Sequence, residues 1–268
     1  MKIKFVSLLT LLIILATGCK DKPKESEMET EVEAAEETTA TPITIEKLEG
    51  SPAYADAALT ITKPTTETVK LTEGGIDFAF DVKNYELGAQ TDSEITGNLA
   101  NSAKGQHIHF IVDNDPYSAH YEPTFKKELE EGTHFLIAFL SRSYHESLKN
   151  PNAFVAEKVI VGQESADAPD VDFSKPTLIY SRPKGTYSGV DTKNLLLDFY
   201  LLNTSLSKGG NYVKATINGV EFELTEWVPY VVKGLPKGAI SIKLELLDKD
   251  GNGIPGDFNT VERTVTLE

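Results

Sequence analysis

Cysteine occurs once in these 268 residues, tryptophan once and methionine twice. A single cysteine excludes an intrachain disulfide framework. Basic residues are the minority, 26 Lys and Arg against 41 Asp and Glu, for a formal charge of -15. That balance argues against nucleic acid and anionic lipid surfaces as partners. The one long apolar run, Phe5 to Ala16, is too short to span a bilayer comfortably. No long amphipathic helix is legible; Thr124 to Glu131 offers at most a turn or two. A Gly-x-Ser-x-Gly elbow is missing as well, so the Ser143/Ser147–His145 combination is not read as a hydrolase triad and no enzyme activity is expected.

What is present begins with an export signal. Lys2 and Lys4 precede the apolar run, and small residues lead up to Cys19. Leu15-Ala16-Thr17-Gly18-Cys19 resembles a bacterial lipobox, with Ala16 where leucine is usual. Residues 1–18 are therefore expected to be a lipoprotein signal peptide and Cys19 the lipidation site, carrying palmitate-type acyl chains that hold the protein to a membrane. Lys20 is compatible with outer-membrane sorting, and the expected location is the envelope of a Gram-negative cell, at its outer membrane. Residues 19–54 read as the lipidated cysteine and an acidic, disordered tether, too poor in large apolar residues to offset the entropy of ordering. Within it, Ile43 to Leu48 is where order is expected to start.

From about Ala57 short β-type runs alternate with Gly, Pro, Asn and Asp clusters. The fold class expected is all-β, with two tandem Ig-like antiparallel β-sandwich domains over 55–163 and 171–268. An internal repeat supports it. Gly105 to Asn114 lies over Gly210 to Gly219 without a gap, and Leu129-Glu130-Glu131-Gly132 lies over Leu235-Pro236-Lys237-Gly238. Lys63-Pro64-Thr65 is placed over Lys175-Pro176-Thr177.

Histidine is scarce and concentrated: all five lie between His107 and His145. On a strand, Ile108, Phe110 and Val112 share the core face, which leaves His107 and His109 side by side on the outward face. The repeat supplies an internal control. Tyr212 and Lys214 stand where His107 and His109 do, so the fold does not require imidazole there. His134 instead reads as a core-edge residue with a hydrogen-bonded ring. Phe135, Ile137 and Phe139 also point outward, together with Ile111, and form a patch that needs either the chain itself or a partner to cover it.

Three chemistries fit these patterns. His107 and His109 can face one ion, with His145, His120 or Asp113 completing the shell; imidazole suits copper and zinc. Alternatively, the loop Ser141 to Ser147 offers Arg142, His145 and several hydroxyls for gripping an anion beside His107 and His109, with Tyr117, Tyr121 and Tyr144 for aromatic contact. Asp248-Lys249-Asp250-Gly251-Asn252-Gly253 opens like a calcium loop, but Asn259 occupies the twelfth position, and a hairpin turn explains it better.

The blocks Gly105-Gln106-His107-Ile108-His109, Ala138 to Ser147 and Tyr180-Ser181-Arg182-Pro183-Lys184-Gly185 resemble a group of poorly characterised Gram-negative envelope lipoproteins, some labelled phosphopeptide-binding. The Gly-x-His-x-His strand followed by Gly-Thr-His also resembles small secreted Ig-like domains. The resemblance implies anion recognition, a task for Arg142 and His145. The functional expectation is a lipid-anchored, non-enzymatic binding module for a protein, peptide or small-molecule ligand, anionic or phosphopeptide-like. It needs no cofactor, and its ligand residues are His107, His109, Arg142, Tyr144 and His145. The alternatives are a copper- or zinc-binding envelope protein built on His107, His109 and His145, and a structural envelope component.

Overall fold

A computed structural model describes residues 41–169 and 171–268. The expected signal peptide, Cys19 and most of the expected tether lie outside the described residues. The described chain opens with β1 (Thr44–Lys47). Eight strands follow: β2 (Ala58–Lys63), β3 (Thr68–Val69), β4 (Ile76–Lys83), β5 (His107–Val112), β6 (Ser118–His120), β7 (Thr124–Lys127), β8 (Gly132–Ser141) and β9 (Phe154–Val161). Eight more complete it: β10 (Thr177–Arg182), β11 (Thr186–Tyr187), β12 (Leu195–Leu202), β13 (Tyr212–Ile217), β14 (Val220–Leu224), β15 (Tyr230–Lys233), β16 (Gly238–Leu247) and β17 (Thr260–Leu267).

The strands build two Ig-like β-sandwiches of one topology. In the first, sheet β2-β4-β7 faces sheet β3-β9-β8-β5-β6; in the second, β10-β12-β15 faces β11-β17-β16-β13-β14. The alternation that makes these strands is plain in β13, where Val213, Ala215 and Ile217 are buried and their neighbours are half-buried. Pairing is antiparallel throughout, except that β3 joins β9 and β11 joins β17 in parallel.

Several expectations need correction. Thr44–Lys47 is not tether: it adds as an edge strand to β15 of the second sandwich, with Thr44 opposite Lys233. Thr124–Lys127 is strand rather than helical turn, because Phe125 packs into the first core opposite Phe78. The partner of Lys63-Pro64 is not Lys175-Pro176. It is Arg182-Pro183, since β2 and β10 are the equivalent first strands and each proline directly follows.

Each sandwich has its own core. Phe78, Ile108, Phe110, Leu136 and Leu140 belong to the first, and Leu197, Phe199, Val213, Ile242 and Leu244 to the second. A third apolar layer joins them. Ile111, Phe135, Ile137 and Phe139 from the first half pack with Ile179, Tyr200, Leu202 and Phe258 from the second. The outward patch is thus covered by the chain itself. Strands β10 and β12 are buried along their whole length for the same reason, with cores on both faces.

Candidate metal centre

His107 and His109 stand two apart on β5 and so project from one face, the face turned to the second sandwich. Both are 0% exposed, which corrects the expectation of an open histidine surface. The two rings share the expected face, and residues of the second half close over it. His109 Nδ1 lies 3.3 Å from Ser181 Oγ on β10. Tyr117 stacks on His109 with centroids 3.5 Å apart and planes 11° off parallel, and Tyr121 lies 5.0 Å from the His107 ring.

His145 arrives from the loop between β8 and β9. Its backbone is left-handed, φ 70°, and its N–H donates to the Arg142 carbonyl at 2.9 Å. That turn swings the ring back over β5. His145 Nδ1 lies 3.1 Å from His107 Nε2, and His109 Nε2 lies 2.9 Å from the same atom. The three residues offer ligand atoms all within 4.8 Å of one another. Tyr117 Oη is 3.2 Å from His145 Nδ1.

Proton counting makes this cluster unusual. His107 Nδ1 faces the Gly105 carbonyl at 2.8 Å, and a carbonyl only accepts, so the proton of the neutral ring is on Nδ1. His107 Nε2 is therefore bare. It has one lone pair, yet two further imidazole nitrogens press against it. Gly105 holds that carbonyl in place with φ 84°; a Cβ there would meet the Gly88 carbonyl oxygen at 2.3 Å.

The electrostatics keep the rings neutral. Burial first, then the Arg182 and Lys184 cations, push His107 down to about 4. Burial and the neighbouring histidines hold His109 well below the ordinary imidazole range, and burial with Arg182 does the same for His145. All three lone-pair systems are thus available at neutral pH. Burial also raises the Tyr117 phenol above its usual range, so it is protonated in the absence of an ion. Lys184 is lowered to about 8 by burial and by Arg182. Its ammonium donates to the Tyr117 carbonyl at 2.6 Å and sits 3.9 Å from that ring's centroid.

The other expected site residues are elsewhere. Arg142 does not face the histidines. Its Nη1 donates to Glu146 Oε1 at 2.9 Å, its Nε donates to the Pro52 carbonyl at 3.1 Å, and both ion-pair side chains are 5% exposed. Tyr144 is buried with Leu99, Leu196 and Val231, and its hydroxyl donates to Ser51 Oγ at 2.9 Å. Both serve the loop that aims His145 and are spent within it. His120 stacks on Phe125 and hydrogen-bonds Ser118, outside the cluster. Asp113 accepts from His134 at 2.7 Å and from the Phe135 N–H at 2.8 Å, leaving it no part in the centre. Asp248 Oδ1 accepts the backbone N–H groups of Asp250 and Asn252, the geometry of a turn. Ser181 is an addition to the expected residues, and Tyr117, expected only as an aromatic contact, stands against His109 and His145.

The chain matches no family model and no curated protein. Among solved structures it is similar to the fibronectin(III)-like modules of Clostridium thermocellum CbhA, at 15% identity over 78% of this chain and 94% of that one, TM-score 0.27. The Bacteroides ovatus mixed-linkage glucan utilization locus protein SGBP-B, solved with a mixed-linkage heptasaccharide, gives 14% identity over 78% and 70%, TM-score 0.23. The FN1–FN3 domains of chicken CNTN1 give 10% over 75% and 65%, TM-score 0.21. Likenesses of this size carry no ligand across, and the fold assignment rests on this chain's own sheet topology.

Proposed function

We propose that this protein is a lipid-anchored metal-binding protein of the cell envelope. Its centre takes a first-row transition ion, copper or zinc, on His107 Nε2, His109 Nε2 and His145 Nδ1. The observation that carries the reading is the convergence of three neutral imidazole nitrogens at 2.9 and 3.1 Å about one bare lone pair. Neutral imidazole is a common ligand for such ions. Outer contacts of the kind that orient metal-bound histidines are already in place: His107 Nδ1 on the Gly105 carbonyl and His109 Nδ1 on Ser181 Oγ.

The signal-like N-terminus and Cys19 support the envelope location and the anchor. Binding rather than catalysis is favoured because two of the three ligands are fully buried. An anion or phosphopeptide would have to take Arg142 from Glu146, which leaves that earlier expectation without its residues.

The test is metal titration of the chelator-treated full chain, with content read by elemental analysis. One copper or zinc per chain is expected. His145→Asn keeps a residue tolerant of the left-handed backbone and removes a ligand. It should retain its melting temperature within a few degrees and lose most of the affinity. Uptake unchanged by that substitution would refute the assignment.

A further inference from the structure

We propose that Tyr117 is the fourth donor of this centre, its phenolate oxygen binding the same ion as the three histidines, in a His3Tyr site suited to copper(II). The inference rests on the metal reading above.

The donor spacing fits one ion. Two donors bound to one ion at about 2.0–2.1 Å, with angles between right and tetrahedral, lie about 2.9–3.4 Å apart. The neighbouring distances run 2.9 Å from His109 to His107, 3.1 Å from His107 to His145 and 3.2 Å from His145 to Tyr117 Oη. All three fall in that range, so the phenol continues the series of donors.

Hydrogen-bond satisfaction points to the same ion. Tyr117 is buried, 2% exposed, and among the described residues the hydroxyl's one partner is His145 Nδ1. That nitrogen's lone pair can accept from the phenol or bind an ion, but not both. An ion bound by His145 would strand a buried hydroxyl, unless the oxygen joins the same ion.

Charge points there too. The ligand cluster holds no carboxylate. Arg182 is buried, and neither it nor Lys184 forms an ion pair among the described residues. A divalent ion on neutral imidazoles, beside two cations, would be poorly compensated. Phenolate supplies the missing negative charge, and the cations flank its ring, with Lys184 Nζ at 3.9 Å and Arg182 Cζ at 5.5 Å from the centroid. They then become partners of the bound state. The ring is also held: it stacks on His109, and its backbone carbonyl accepts from Lys184.

The step is an exchange without electron transfer. The phenol O–H bond breaks, the oxygen–metal bond forms and the proton leaves to solvent. Imidazole with an oxygen donor suits copper(II), the tightest-binding divalent ion of the first row for such sites.

The experiment is a copper(II) titration of the chelator-treated full chain followed by visible absorption. A phenolate-to-copper charge-transfer band should grow to one equivalent, and excess chelator should bleach it. Tyr117→Phe keeps the stacked ring, so it should still take up copper, about tenfold or more weaker and without the band. A stoichiometric copper(II) complex of the unmodified chain that lacks the charge-transfer band would overturn the Tyr117 assignment and leave the three-histidine reading standing. So would Tyr117→Phe with unchanged affinity and spectrum. No copper uptake by the unmodified chain would overturn both.

Discussion

Acid should destabilise the metal-free protein well before its carboxylates titrate, and the effect can be worked from His107. Its folded pKa is depressed from 6.5 to about 4, chiefly by burial. The unfolded chain then binds the proton that the folded chain refuses. Stability from this group is full above pH 6.5 and lost as pH falls from there towards 4. Applied to pH 5, the linkage relation gives a loss of about 2 kcal/mol from this ring alone, and about 3 kcal/mol once pH is below both values. His109 and His145 are depressed in the same direction and deepen the fall. The assay is urea unfolding at pH 7.5 and pH 5.0 with chelator present, comparing midpoints. His107→Gln removes the group and should flatten the decline by about that amount. A midpoint unchanged between the two pH values would mean that the rings are not buried neutral as described, and the account of the cluster would be wrong.

Two further substitutions probe how the sandwiches hold the site. Phe139 stacks on Tyr200 across the joint with centroids 5.2 Å apart, so Phe139→Ala should cost about 3–5 kcal/mol in urea unfolding. A loss below about 1 kcal/mol would show that the two halves do not share that layer. Arg142→Ala strands the buried Glu146 carboxylate, whose pKa burial already raises, and should cost about 3–5 kcal/mol. Arg142→Met combined with Glu146→Leu should recover much of it in the same assay; a double variant as weak as the single one would count against an unpaired charge as the cause.

Much of the fold was legible because period-two patterning and the repeat speak about local structure. Val213-Lys214-Ala215-Thr216-Ile217 declares its buried face in the sequence, and Gly105 to Asn114 over Gly210 to Gly219 marks equivalent strands. The histidine triad was legible in part: i, i+2 spacing on β5 fixes a shared face, and His145 was among the candidates. Its burial was not, because that depends on how two sandwiches pack, which no local pattern encodes. A clue existed in Leu195 to Leu202, apolar on both faces apart from Asp198, which single-core strands rarely are. Arg142 misled because its charge suggested an open anion site; only the fold reveals Glu146 and the Pro52 carbonyl beside it. Tyr117 was legible only as an aromatic contact for a ligand, not as a donor beside the histidines. It precedes a three-residue strand, after a turn with Asp113 and Asn114 at positive φ, and its contact with His145 spans 28 residues.

The central claim is a metal ion on three imidazoles, and electron paramagnetic resonance of the copper(II)-loaded full chain tests it most directly. Coupling to three nitrogen nuclei at one copper per chain, reduced to two nitrogens in His145→Asn, is the expected result. A spectrum of free or nonspecifically bound copper, the same in both proteins, would contradict the account.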